Sequence, residues 1–178
     1  MRVITGSARG CTLETLEGLD TRPTVARVKE AIFSAISFEI EGRRVLDLFA
    51  GSGQMGIEAL SRGAESCVFV DRSREAVSVI GRNLRRAKLD AAEVVCTDAV
   101  GYLTHTAETF DLVFLDPPYA AGLLLPCLEL LSEKMAAGGT VVCESDRNTD
   151  LPETVGALSQ YRSYRYGRVA VRVYRMKG

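Results

Sequence analysis

The chain has 178 residues, 47% of them hydrophobic and 25% charged, with a formal net charge of −1. Such fractions exclude wholesale disorder, and the length suits one globular domain that buries about 70% of its unfolded surface. No apolar run approaches the roughly 20 residues of a membrane helix, and the N-terminus lacks a signal-peptide pattern, so a cytoplasmic protein without a membrane partner is expected.

Near-neutrality argues at first against a nucleic-acid partner, which usually leaves a basic footprint. The distribution is less neutral than the total. Eighteen of the 22 basic residues are arginine, the side chain suited to forked phosphate contacts. Residues 161–178 hold six basic residues, no acid and four of the six tyrosines. The five cysteines are odd in number, widely spaced and mostly set in apolar runs, with no C-x-x-C pair. They support neither a zinc site nor a disulfide framework and read as small buried hydrophobes. No metal is expected. The single histidine, His105, has no patterned partner for a Ser-His-Asp or Cys-His mechanism.

In chain order, Arg2–Thr5 and Cys11–Leu16 read as two short strands around a turn at Ser7–Gly10, a hairpin appended to the main body. Thr21-Arg22-Pro23-Thr24 then opens a helix carrying Val25, Val28, Ile32, Ala35 and Ile36. Arg43–Phe49 is a β-rich apolar run ending in a glycine loop. Further strands fit Cys67–Val70, Val94–Cys96, Leu112–Leu115 and Thr140–Cys143, and helices fit Met55–Ser61, Arg74–Ala87, Ala99–Thr106 and Leu123–Met135. Tyr161–Tyr166 and Val169–Tyr174 close the chain as a hairpin around Gly167. The basic helix face Arg82, Arg85, Arg86 and Lys88 reads as solvated. Alternating helices and apolar strands predict a parallel sheet covered on both faces, with ligands bound beyond the strands' carboxyl ends.

The residues that follow each strand therefore carry the chemistry. After the first core strand, Gly51-x-Gly53-x-x-Gly56 permits a tight turn and close backbone approach to a ligand, and Asp71 follows Gly51 by 20 residues. This spacing suits a nucleoside cofactor without saying which one. Asp71, with Arg72 beside it, can accept ribose hydroxyls, or simply end a strand in solvent. Asp98, ahead of Ala99, can accept from an adenine amine or cap a helix. Asp116-Pro117-Pro118-Tyr119 leaves the fourth strand as a stiff loop with two acceptors and an aromatic face. Those groups suit a planar ligand bearing an exocyclic amine.

These residues resemble the amino-methylating class I S-adenosylmethionine-dependent methyltransferases, with their Asp/Asn/Ser-Pro-Pro-aromatic acceptor motif. More narrowly, the chain resembles the RsmD family of bacterial 16S ribosomal RNA guanine-N2 methyltransferases. The stretches that carry the resemblance are Arg2–Gly6 with Arg9-Gly10, Thr21–Thr24 with Arg27–Glu30, Asp47–Gly53, Glu58–Ala64 and Asp116–Tyr119. Val25-Ala26 departs from the family's Thr/Ser-Asp, and Gln54-Met55 from its smaller residues.

The resemblance implies a Rossmann-like α/β fold with a mostly parallel seven-stranded sheet, helices on both faces and an N-terminal hairpin extension (1–20) on a methyltransferase domain (21–178). It implies S-adenosylmethionine as cofactor, held by Thr24, Arg27, Asp47, Phe49, Gly51, Gly53, Asp71, Arg72, Asp98 and Ala99. Asp116, Pro117, Pro118 and Tyr119 would then form the catalytic motif. Arg2, Arg9 and Arg22 would contact RNA, and the C-terminal hairpin's arginines either contact RNA or line a solvated edge strand. The partner implied is 16S rRNA, within the 30S subunit or an assembly intermediate, met by a monomer. No strong general base is required, so a flat pH–rate profile from about 6 to 9 is expected. The acceptor motif alone also fits DNA adenine or protein glutamine amides. The glycine loop alone fits a nicotinamide oxidoreductase, and a catalytically dead assembly factor would carry the same cofactor pocket.

Overall fold

The computed structural model describes residues 1–18 and 23–178, with side chains in the first helix described from residue 25. In chain order the elements are α1 (Pro23–Ala35), β1 (Arg44–Leu48), α2 (Gln54–Ser61), β2 (Ser66–Asp71), α3 (Arg74–Ala87), β3 (Ala92–Cys96) and α4 (Ala99–His105). Then come β4 (Phe110–Leu115), a 3₁₀ turn (Tyr119–Ala121), α5 (Leu124–Leu131), β5 (Met135–Asp146), β6 (Thr154–Val155), β7 (Leu158–Tyr166) and β8 (Val169–Met176). They build one eight-stranded sheet in the order β3-β2-β1-β4-β5-β8-β7-β6. The first five strands run parallel to their neighbours, while β8, β7 and β6 pair antiparallel. The expected seven strands become eight because Thr154-Val155 pairs with Leu158-Ser159.

Alternation along β1 sorts the core into two layers. Val45 faces a cluster with Val28 and Phe33 of α1, Ile57 of α2 and Ile80 of α3. Leu46 and Leu48 face the other cluster, with Leu103 of α4 and Leu128 of α5. Helices thus cover both faces, as expected for apolar parallel strands. Local signals set α3 cleanly: Ser73 caps it by accepting from Ala76 N–H (3.2 Å), and Lys88 ends it at φ 55°.

The first residues form a minimal hairpin in place of two full strands. Arg2 and Thr12 make an isolated antiparallel bridge, flanked by backbone bonds from Val3 N–H to Cys11 C=O (3.0 Å), Gly10 N–H to Val3 C=O (2.9 Å) and Leu13 N–H to Met1 C=O (2.7 Å). Side chains of the helices hold further backbone groups. Buried Glu58 accepts from Ile4 N–H (2.8 Å) and Thr5 N–H (3.0 Å) while paired with Lys29 (3.2 Å) and Arg62 (2.9 Å). Desolvation lowers the Lys29 pKa, and Glu58 opposes that shift. Ser61 bonds Ala8 N–H and Thr5 C=O. At Gly6 (φ +91°) a Cβ would sit 1.7 Å from the Ser61 carbonyl oxygen, so only glycine fits the contact. Farther along, Asn83 bonds both backbone groups of Glu14, and Arg82 forks onto its carboxylate (2.6 and 2.9 Å). Arg86 donates to Thr12 C=O (3.2 Å). Two members of the basic face read as solvated therefore clamp the arm, whose Val3, Ala8 and Leu13 lie in the first core cluster.

Three further expectations change. The helix at Leu123–Met135 ends at Leu131, because Met135 pairs with Phe110 as the start of β5. Its neighbour Lys134 C=O accepts from Phe110 N–H (2.9 Å). β8 is no edge strand: it lies between β5 and β7. Arg172 donates to Ser145 Oγ (2.8 Å) and Thr149 C=O (2.6 Å), and Arg175 pairs with Glu39, so both arginines are structural. Among the cysteines, Cys67, Cys127 and Cys143 are buried, but Cys96 is exposed and Cys11 is half-buried.

Candidate active site

Strand order reverses between β1 and β4, which lie side by side although α2 to α4 intervene in the chain. Connections leaving the two strands in opposite directions open a crevice beyond their carboxyl ends. Register brings four strand ends level: Leu48 pairs with Val70 and with Leu115, Asp71 with Cys96, and Leu115 with Cys143. The loops after β1, β2, β3 and β4 therefore share one rim.

The loop after β1 turns at Phe49 (φ 68°), Gly51 (φ 57°) and Gly53 (φ 80°). Positive φ is free for glycine but strained for phenylalanine, and such strain collects at binding sites. Asp71 spans the loop's start, accepting from Gly51 N–H (2.9 Å) through one oxygen and Ser73 N–H (2.9 Å) through the other. Asp47 lies within β1 on the face of α2, only 3% exposed, and accepts from Gly56 N–H (2.9 Å). Burial raises its pKa to about 7, against the Gly56 hydrogen bond; Asp71 adds to the rise and Lys29 reduces it. Gly56 serves packing: a Cβ there would meet the Phe69 ring at 2.3 Å and Cys67 Sγ at 2.7 Å.

Asp98 does cap a helix, accepting from Gly101 N–H (2.8 Å) through Oδ1 at the start of α4, with Ala99 buried behind it. An open groove of about 530 Å³ runs from Asp98 along α4, lined also by Val95, Thr97, Gly101, Tyr102 and His105. Arg72 is exposed beside Asp71, and Arg27 is exposed on α1. Thr24 lies at the start of α1 with its side chain outside the described residues, as does Arg22 entirely. Arg2 and Arg9 are exposed on the arm. The turn beside Arg9 binds Ser61, at the end of α2 farther from the glycine loop, and no described contact joins either arginine to the crevice.

At the end of β4, Pro117 is buried, while Asp116, Pro118 and Tyr119 are exposed to the crevice. Pro118 holds extended geometry (φ −54°, ψ 128°), and its carbonyl accepts from Ala121 N–H (3.0 Å), closing the 3₁₀ turn. Tyr119 Oη donates to Glu144 Oε1 (3.2 Å). Glu144 follows Cys143, the register partner of Leu115, just as Asp116 follows Leu115. Protein crowded around its open side raises the Asp116 pKa well above the usual carboxylate range, with the like charges of Glu144 and then Asp47 adding. Burial likewise raises Glu144, against the Tyr119 hydrogen bond. Burial raises the Tyr119 phenol too, followed by the charges of Glu144 and Asp116. Among the described residues no group of His, Cys, Asp and Glu is arranged to hold a metal ion.

The family model described as Conserved hypothetical protein 95 matches residues 1–175. The chain belongs to this family, the RsmD family of the resemblance above. A Bacillus subtilis (strain 168) protein, YlbH, a candidate rRNA methyltransferase by name, is 45% identical over 184 residues, covering 100% of both chains. Ribosomal RNA small subunit methyltransferase D of Escherichia coli (strain K12) is 34% identical over 176 residues, 98% of this chain and 89% of that one. The solved structure of yhhF from Escherichia coli, titled as a methyltransferase, superposes with a TM-score of 0.88 at 32% identity, covering 100% of this chain and 98% of that one. Family membership thus agrees with the motifs that carried the resemblance.

Sequence reasoning overlooked Glu144. Glu144 directly follows the predicted strand Thr140–Cys143, where the rule that such residues carry the chemistry reaches it, although the observed β5 continues to Asp146. That Glu144 stands beside Asp116 required the β4–β5 register.

Proposed function

We propose that the protein transfers a methyl group from S-adenosylmethionine to the exocyclic N2 of a guanine in small-subunit ribosomal RNA. The carrying observation is the open acceptor cluster at the switch point: Asp116, which accepts no hydrogen bond from the described residues, set beside the Tyr119 ring. The names of the relatives support ribosomal RNA methylation. The donor set also fits this cofactor. Gln54 Oε1, at the first position of α2 beside the glycine loop, is buried without a partner, an acceptor available to an ammonium or amide N–H. Asp71 and Asp98 keep lone pairs beyond the loop and cap bonds they make, for ribose hydroxyls and an adenine amine. Phe49, Gly51 and Gly53 allow close approach of backbone to ligand. Asp47, Thr24, Arg27, Arg72 and Ala99 complete the candidate binding set.

When bound, the cofactor would supply an electrophilic methyl group, S-adenosylhomocysteine being the leaving group, and the surplus proton of the methylated amine would pass to solvent. The chain's residues do the positioning. Asp116 and the Pro117 carbonyl accept from the two N–H groups of the amine and aim its lone pair, while Tyr119 stacks on the base. Positioning of this kind supplies much of an enzyme's acceleration. A paired guanine must be extruded to reach Asp116. Arg2 and Arg9, exposed on the arm, would then contact the RNA backbone at a distance from the crevice, and Arg22 remains a candidate contact by sequence. Because the ionised form of Asp116 is the stronger acceptor and its pKa is raised, the acid limb of the rate profile moves above the ordinary carboxylate range.

Labelled methyl transfer to undermethylated 30S subunits, free 16S RNA and DNA, with the modified nucleotide mapped, tests the reading. N2-methylguanine in 16S RNA is the expected product; label only in DNA or protein overturns it. Asp116→Ala is expected to lose about a hundredfold or more in turnover while retaining S-adenosylhomocysteine binding. Near-wild-type turnover removes Asp116 from the mechanism.

A further inference from the structure

At the carboxyl end of β4, Asp116 and its neighbour Glu144 on β5 are two carboxylates that receive a single hydrogen bond from the described residues. The register partners Leu115 and Cys143 are followed by Asp116 and Glu144, so both side chains leave adjacent parallel strands at the same level. Tyr119 Oη gives Glu144 Oε1 its one described hydrogen bond, and Oε2 has none among the described residues. Both carboxyl groups are pushed toward protonation by their crowded surroundings, and the charge of Glu144 bears directly on Asp116. Paired acceptors short of donors fit a ligand edge that brings two adjacent donors.

The bases differ in this respect. On its Watson–Crick edge guanine carries N1–H beside the N2 amine, two neighbouring donors. Adenine and cytosine set their amine beside a ring nitrogen that is an acceptor. A carboxylate next to the amine site therefore attracts guanine and faces the other two lone pair to lone pair. We infer that Glu144 determines base specificity by accepting the N1–H of the target guanine while Asp116 holds N2. The Tyr119 hydroxyl serves the inference as well: by engaging Oε1 it fixes the carboxylate and ties the stacking ring to the acceptor. Glu144 touches the base away from the reacting atoms and moves no proton in transfer.

This inference rests on the proposed substrate and is tested so that the two can fail separately. 2-Aminopurine keeps the N2 amine but has an acceptor at N1. Small-subunit particles would be reconstituted with 16S RNA carrying either guanine or 2-aminopurine at the mapped target, and kcat/KM measured for wild type and Glu144→Gln. Wild type is expected to prefer guanine by about ten- to a hundredfold, the discrimination of one well-placed polar base contact. In Glu144→Gln, with the amide oxygen kept by Tyr119, the NH2 group takes the place of Oε2, where it donates to a bare N1 and opposes N1–H, so the preference should shrink to a few-fold or reverse. The Tyr119 bond can be kept by the amide oxygen, and unchanged S-adenosylhomocysteine affinity by calorimetry would show an intact fold. Equal use of both bases by wild type, or a full guanine preference in Glu144→Gln, overturns the inference alone. Transfer to neither base overturns the guanine reading, and the inference with it.

Discussion

Replacing Asp47 by asparagine separates the cost of a buried carboxylate from its use. Asp47 is 3% exposed, and its pKa rises from 3.8 to about 7 in the folded protein. Between those values the folded state binds the proton and the unfolded chain does not. Stability therefore falls as pH rises from about 4 to about 7 and levels off above that. The whole rise corresponds to a cost on the order of 4 kcal/mol, of which about 3 kcal/mol develops between pH 4.5 and pH 8. Asparagine can still accept from Gly56 N–H and never ionises, though its amide brings unpaired buried donors at a pH-independent cost of about 1–3 kcal/mol. The expected result is a variant of similar or lower stability at pH 4.5 that gains about 3 kcal/mol on wild type by pH 8. In thermal scans that is about 6–12 °C of relative shift for a chain this size. Urea denaturation of both proteins at pH 4.5, 6 and 8 measures it, with S-adenosylhomocysteine titrations expected to show weaker binding by the variant. A stability difference that does not change with pH would refute the argument from burial.

Two other substitutions probe how the arm and the glycine loop are held. Glu58→Ala leaves Lys29 buried without its carboxylate and frees the Ile4 and Thr5 amides, at an expected cost of about 3–5 kcal/mol in urea. Hydrogen exchange at those two amides should speed up beyond the global change, and unchanged protection would show the arm held by other contacts. Gly56→Ala drives a methyl group to within 2.3 Å of the Phe69 ring, so about 1–3 kcal/mol of stability should be lost. Wild-type stability in that variant would mean that α2 can lift from β2 without cost.

Local chemistry was enough to read much of this fold in the sequence. The α3 boundaries follow from the Ser73 cap and the amphipathic repeat, and the apolar runs that became β1 to β5 state their own burial. The residue types after those runs placed Asp71, Asp98 and Asp116 near a shared rim, because a parallel sheet with helical crossovers leaves its ligand crevice at that end. The Asp-Pro-Pro-Tyr stretch carried the proposed acceptor chemistry, as two acceptors and an aromatic face on one stiff loop.

What the sequence left open depended on partners distant in the chain. Residues 1–18 look like two strands by composition, yet they share only a short backbone ladder between Met1–Val3 and Gly10–Leu13, and the amides of Ile4, Ala8 and Glu14 bond to Glu58, Ser61 and Asn83, more than 50 residues away. Met135 fits a helix by periodicity and joins a strand because Phe110 offers a free edge. The arginines of β8 alternate as they would on an exposed edge, but β7 covers that edge. The opening charge balance resolves in the same way. Sequence alone determined that acids gather after strands and arginines toward the chain ends. Only the tertiary structure decided that Arg82, Arg172 and Arg175 are engaged internally while Asp116 and Glu144 follow paired positions of adjacent strands. Charge partners are selected by distance in space, and register, not composition, sets that distance.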